Sequence, residues 1–272
     1  MRPHRTFAIL PTMFTLGNIV CGFFAIVIAS RVQTPQSEDW FVATDPSDCM
    51  FSAWLIFLAM VFDALDGYVA RLAGASSEFG AELDSLCDMV SFGVAPAFLL
   101  VKMCPRFSFF HKEAVWVIAA SFAACVALRL ARFNVETSDD DDHMHFRGLP
   151  SPAAAASLAG FAIMFSTLRD KEFSFLYAAQ IDMALQFILP FFALLAAMLM
   201  VSRVRYPHVV NQVFRGQKTA RHLVAVIFTV VAIMVVRHYA VPIVCVTFVL
   251  YGPLRYCWEK VVERRHQEEG IF

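Results

Sequence analysis

The chain has 272 residues, 59% of them hydrophobic and only 17% charged, with a mean hydropathy of +0.62 and a formal net charge of −1. A soluble domain of this length carries more charge and fewer apolar residues, so the composition argues against a water-soluble fold and makes a bilayer the solvent. The near-neutral total gives no electrostatic footprint for nucleic acid, and none is expected as a partner.

The basic start, Met1 to Arg5, leads into an apolar run from Phe7 to Ser30. That run is too long for a cleaved leader, so it is expected to be retained as the first helix. Eight spans are predicted along the chain, at about 8–31, 51–71, 86–103, 114–132, 152–168, 182–201, 222–236 and 239–257. Most approach the ~20 apolar residues that cross a hydrocarbon core. Only a tight turn near Arg237 and His238 divides the last two. The expectation is a single all-α integral membrane domain over residues 1–272.

Orientation follows from the basic residues. The loop 202–221 carries Arg203, Arg205, Arg215, Lys218 and Arg221, whereas the loop 32–49 carries Glu38, Asp39, Asp45 and Asp48 and no Lys or Arg. This bias puts both termini on the cytoplasmic side of the cell (inner) membrane. The seven cysteines form no C-x-x-C pair and sit mostly in apolar runs, so they read as small core side chains. The run Asp139–Asp142, with His143 and His145 beside it, reads as a solvated inner loop; a cation lure is the alternative.

In the first span, Pro11, Thr15, Asn18 and Gly22 recur at helical steps and form one polar or small stripe. It serves either close helix packing or a site, with Asn18 the residue favoured for the latter. The second and third spans hold what a bilayer should exclude: Asp63, Asp66, Asp84 and Asp88. Asp63 and Asp66 share one helix face, and so do Asp84 and Asp88. The link over about 72–80, with Gly74, Ser76, Ser77 and Gly80, is short enough to make the helices antiparallel neighbours. Four converging carboxylates repel one another, and one or two divalent cations relieve that conflict. Oxygen-only ligands favour Mg²⁺ or Mn²⁺, with Ca²⁺ also admitted, over zinc. A carboxylate-held metal pair suits displacement at phosphorus. The plainer alternative is that the acids pair with Arg71 and Arg129.

The string from Asp63 to Asp88 is DALDGYVARLAGASSEFGAELDSLCD, of the form D-x2-D-G-x2-A-R-x8-G-x3-D-x3-D. It resembles the signature of the CDP-alcohol phosphatidyltransferases at every fixed position. The resemblance implies a core of six transmembrane helices, so eight spans would leave two extra. It implies transfer of a phosphatidyl group from CDP-diacylglycerol to a small alcohol, at a cavity on the cytoplasmic face, and a homodimer. It assigns Asp63, Asp66, Asp84 and Asp88 to metal binding, and Asp88 also to the general base. CDP-diacylglycerol is expected at Asn18, Gly67, Ala70, Arg71, Ser77 and Gly80. Physical chemistry agrees with several of these: Gly67 and Gly80 admit close approach, Ala70 keeps the pocket open, and Arg71 can clamp a phosphate.

Two further strings, RLARFN (129–134) and FRGLPSPAAA (146–155), resemble the branch of the family that uses L-serine. Arg132 or Arg147 would then bind the serine carboxylate; positive-inside anchoring is the alternative for both. The resemblance covers about residues 8–155. Glycerol 3-phosphate or inositol phosphate are the competing acceptors. A cation-coupled transporter is the competing class, but it calls for a second aspartate cluster. After residue 142 only Asp170 and Asp182 remain, expected at an outer loop.

Overall fold

The computed structural model describes residues 5–32, 46–73, 78–107, 113–138, 148–169, 177–202, 204 and 240–269. Among them every regular element is helical, as lipid requires of a chain that must satisfy its own backbone. In chain order the helices are α1 (Arg5–Arg31), α2 (Pro46–Ala73), α3 (Glu78–Asp88), α4 (Ala95–Met103), α5 (Ala114–Ser138), α6 (Ser151–Arg169), α7 (Ala178–Val201) and α8 (Ala240–Glu269). A π-helical segment, Met89–Val94, joins α3 to α4. Six stretches are long and apolar enough to cross a membrane, and α3 through α4 form one of them, Glu78–Met103. The protein is therefore an all-α integral membrane protein. The span expected at 222–236 lies outside the described residues. The one expected at 239–257 is the start of α8, whose apolar stretch, Val241–Arg255, is shorter than the other spans.

Three boundaries differ from the sequence reading. Helix α2 begins at Pro46, so Asp48 and Cys49 belong to the helix rather than to the preceding loop. Cys49 is buried there. Helix α3 begins at Glu78 instead of near residue 86, because Glu78 opens a first turn whose free amides favour an acid. Asp182 is not in a loop; it lies in the first turns of α7, 1% exposed.

Helix α6 is the spine of the bundle. Ala154, Ala155, Ser157, Ala159, Gly160 and Ala162 leave little side chain between backbones, and α2, α4, α7 and α8 all pack on it. A Cβ added at Gly160 would stand 3.2 Å from the backbone of Pro242 in α8. Gly148, just ahead of α6, has φ +95°, and its amide donates to the Val204 carbonyl at 2.8 Å. A Cβ there would lie 2.4 Å from the Met200 carbonyl oxygen. The glycine of FRGLPSPAAA thus has a backbone reason of its own.

Both ends of the bundle are tied by polar groups. At one end Lys102 Nζ donates to the carbonyls of Ser30 (3.3 Å) and Val32 (3.0 Å), closing the last turn of α1. At the same end Arg169 of α6 bonds Asp182 of α7 at 2.8 Å and the Met103 carbonyl of α4 at 3.2 Å. Gln186 adds a 2.6 Å bond to the second Asp182 oxygen. The other end, where α2 stops and α3 starts, carries the aspartates.

The π-helical segment follows Asp88 directly. Ala95 N–H donates five residues back, to the Val90 carbonyl, and Pro96 beyond it has no amide for a regular ladder. Here α1 comes closest. Ser91 Oγ donates to the Asn18 carbonyl at 2.9 Å, and a Cβ at Gly22 would meet Ser91 Oγ at 2.3 Å and Ser91 Cα at 2.8 Å. Gly22→Ala is therefore expected to lower stability by about 1–3 kcal/mol, the usual result of overpacking. Ser91→Ala in the same chain should restore only part of it, because the Cα clash remains. Thermal unfolding in detergent of the single and double variants checks this; full recovery in the double variant would place the clash in the hydroxyl alone.

Candidate active site

Three helices build the site. Helix α2 supplies Asp63, Asp66, Gly67 and Ala70; α3 supplies Gly80, Asp84 and Asp88; α1 supplies Thr15 and Asn18. Helix α2 runs to Ala73 and α3 starts at Glu78, so both helices run further into the expected 72–80 link than read. Asp63 and Asp66 of α2 and Asp84 of α3 come together: each offers one carboxylate oxygen, all within 4.8 Å of one another. Thr15 reaches the Asp66 carboxylate from α1 with its hydroxyl.

Asp88 is placed differently. It is one turn deeper on α3, 8% exposed, and Asn18 Nδ2 donates to its Oδ1 at 2.9 Å. The close group of oxygens is three acids, with Asp88 beside it and tied to α1. Asn18 is itself fully buried, and its own Oδ1 has no partner.

The donor set fits a hard divalent cation. Asp66 Oδ2 and Asp84 Oδ1 are buried without a hydrogen-bond partner, so the protein leaves their charge uncompensated. All the donors are oxygen, which selects against a soft metal. Among the described side chains, which do not include that of Arg71, no Lys or Arg forms an ion pair with these acids. Of the alternative that they pair with Arg71 and Arg129, the Arg129 part finds no support in the geometry, and the Arg71 side chain lies outside what is described.

The remaining expected residues divide. Gly67 and Ala70 are half-buried on α2 near Asp66, and Gly80 lies in the first turn of α3. Arg132 is half-buried on α5. The Arg71 side chain, Ser77, Arg147 and the Asp139–Asp142 run lie outside what is described. Sequence reasoning passed over Arg129 except as a counter-ion. Its Nη1 donates to Ser151 Oγ at 2.8 Å, and its Nε is buried and unpartnered. The available signal was its position inside the apolar run of the fourth predicted span, where a charge calls for a reason. Next to it, Ser85 and Glu82 of α3 meet Asn134 of α5 at 3.1 and 3.5 Å and hold the two helices together.

Comparison with known proteins agrees with this architecture. The family model for CDP-alcohol phosphatidyltransferases matches residues 8–204. The chain is 36% identical over 245 residues to a Methanocaldococcus jannaschii protein named CDP-diacylglycerol–serine O-phosphatidyltransferase, covering 89% of this chain and 91% of that one. It is 31% identical over 255 residues to a Helicobacter pylori protein of the same name, 93% of each chain. A Saccharomyces cerevisiae protein, also of that name, is 37% identical over 154 residues, 54% of this chain and 51% of its own. With a helical membrane bundle, a buried oxygen cluster on α2 and α3, and these matches over most of its length, the chain belongs to the CDP-alcohol phosphatidyltransferase family.

Proposed function

We propose that the protein transfers the phosphatidyl group of CDP-diacylglycerol to L-serine, releasing CMP and forming phosphatidylserine. The observation that carries the chemistry is the group of Asp63, Asp66 and Asp84 oxygens with Asp88 held beside it by Asn18. The acceptor rests on the relatives that match most of the chain and are named for serine.

Asp63, Asp66 and Asp84 would hold Mg²⁺ or Mn²⁺, two ions in the fullest form of the proposal, with Asp88 as a further ligand. Bound there, the metal supplies positive charge for the pyrophosphate oxygens. The chain's own residues do the rest. Asn18 fixes the Asp88 carboxylate by donating to one of its oxygens. Asp88 takes the proton of the serine hydroxyl as its oxygen bonds to the β-phosphorus. The bond from that phosphorus to the bridging oxygen breaks, and CMP departs with the electron pair. Gly67 and Ala70 leave room for the nucleotide on α2, with Arg71, Ser77 and Gly80 as its further contacts. Arg132 and Arg147 stand as the sequence-derived acceptor residues. The same proposal puts the site on the cytoplasmic side of the cell membrane, where nucleotide and serine are available, and the protein as a homodimer.

The test is an acceptor panel. Purified protein with CDP-diacylglycerol, Mg²⁺ or Mn²⁺, and each of L-serine, glycerol 3-phosphate and inositol phosphate is assayed for CMP release. Serine should support turnover, and a chelator should stop it. Turnover with glycerol 3-phosphate and none with serine would replace the acceptor and keep the chemistry.

A further inference from the structure

Arg129 joins the two strings that resemble the serine-using branch. It opens RLARFN on α5, and its Nη1 is bonded to Ser151 of FRGLPSPAAA at the start of α6. That bond fixes the plane of the guanidinium. The Nε edge is left buried with no partner. Arginine keeps its charge in such surroundings, since it does not give up its proton in proteins. A cation held inside a spanning helix without a bonded anion is costly and marks a place where an anion is received. Asp88 is the acid whose charge reaches Arg129, yet the two form no ion pair.

The position of this cation selects among the anions of the reaction. The phosphates belong beside Asp63, Asp66 and Asp84, which share their own group of oxygens. Arg129 is instead on the side of Asp88, where the hydroxyl to be deprotonated must lie: α5 packs against the π-helical segment that follows Asp88 directly, with Val126, one turn before Arg129, set against Gly93. In an amino-acid alcohol the carboxylate is only two carbons from the hydroxyl-bearing oxygen. It must therefore sit within a few ångströms of the base, and it would be repelled by Asp88 without a cation between them. The planar guanidinium offers two parallel N–H donors that match a carboxylate.

We infer that Arg129, oriented by Ser151, is the residue that binds the acceptor's carboxylate and so selects an amino-acid alcohol over a plain amino alcohol. This deepens the serine reading and rests on it.

The experiment compares L-serine with ethanolamine, which keeps the hydroxyl and ammonium and lacks the carboxylate. KM and kcat are measured for both acceptors, and KM for CDP-diacylglycerol, on wild type, Arg129→Ala and Arg129→Lys. Arg129→Ala should raise the serine KM about 10- to 100-fold, the worth of a charged hydrogen bond, and erase the preference for serine over ethanolamine. Arg129→Lys keeps the charge without the fork and should fall between. It also decides the question if the alanine variant does not fold. A ratio unchanged in Arg129→Lys and Arg129→Ala, or a rise confined to the KM of CDP-diacylglycerol, overturns the assignment. Wild-type protein that turns over no serine defeats the serine reading itself, whatever Arg129 does.

Discussion

Asp88→Asn should keep metal-dependent binding of CDP-diacylglycerol and lose turnover by ~10²–10⁴-fold, the usual contribution of a positioned base. The substitution preserves shape. An asparagine at 88 still offers an oxygen to Asn18 Nδ2, which donates to Asp88 Oδ1 at 2.9 Å in the native chain. What it loses is the ability to take a proton. Asp66→Asn should fail in another way. Asp66 belongs to the close group of oxygens with Asp63 and Asp84 and has one oxygen buried without a partner. Neutralising it should weaken metal and nucleotide binding together, and excess metal should recover part of the activity. Nucleotide binding and CMP release measured on both variants over a metal titration separate the two cases. Recovery of Asp88→Asn by metal alone would make Asp88 a ligand and remove it as the base.

Asp182→Ala should destabilise the folded protein by about 3–5 kcal/mol, the cost of leaving a buried charge without its partner. Arg169 and Asp182 are 6% and 1% exposed, and the guanidinium also stacks over Phe165 with its carbon 4.6 Å from the ring centre. The Met103 carbonyl and Gln186 complete the set, so α4, α6 and α7 are joined through one ion pair. Replacing both partners with apolar residues, Arg169→Met with Asp182→Leu, should cost much less than either single change. The reason is that no charge is then left behind. Chemical unfolding in detergent reads all three variants. Additive losses in the double variant would show that the pair makes no specific contribution. Because this tie lies at the opposite end of the bundle from Asp88, the double variant that folds should bind CDP-diacylglycerol as wild type does.

Much of the site was legible because its chemistry is local in sequence. Asp63 and Asp66 share a helix face by spacing alone, as do Asp84 and Asp88, and the short link between the two helices predicted that the pairs would converge. Acids in an apolar segment call for a cation or a partner. The apolar runs likewise marked the spans, since a bilayer leaves the backbone little choice but helix.

The ends of those helices were less legible. The first turn at Glu78 and the start at Pro46 depend on capping and on packing against neighbours, which hydropathy does not record. Asp182 was placed in a loop because a lone acid near a polar segment reads that way. It is helical and buried because Arg169, thirteen residues earlier in sequence, folds back against it.

The amino-acid sequence by itself determined the solvent, the helical class, the family motif and the pairing of aspartates within each helix. These follow from composition and from periodicity over a few turns. Only the tertiary structure decided which acids form the close group. Helix α1 crosses at Gly22 and Ser91 and brings Asn18 onto Asp88, whereas Asp63 and Asp66 of α2 meet Asp84 of α3. It also decided that Arg129 reaches Ser151 with an unpartnered edge left over. Contacts between residues so far apart in the chain depend on how helices cross. That is set by side-chain volume at the crossing points, and no window of sequence contains both sides of such a contact.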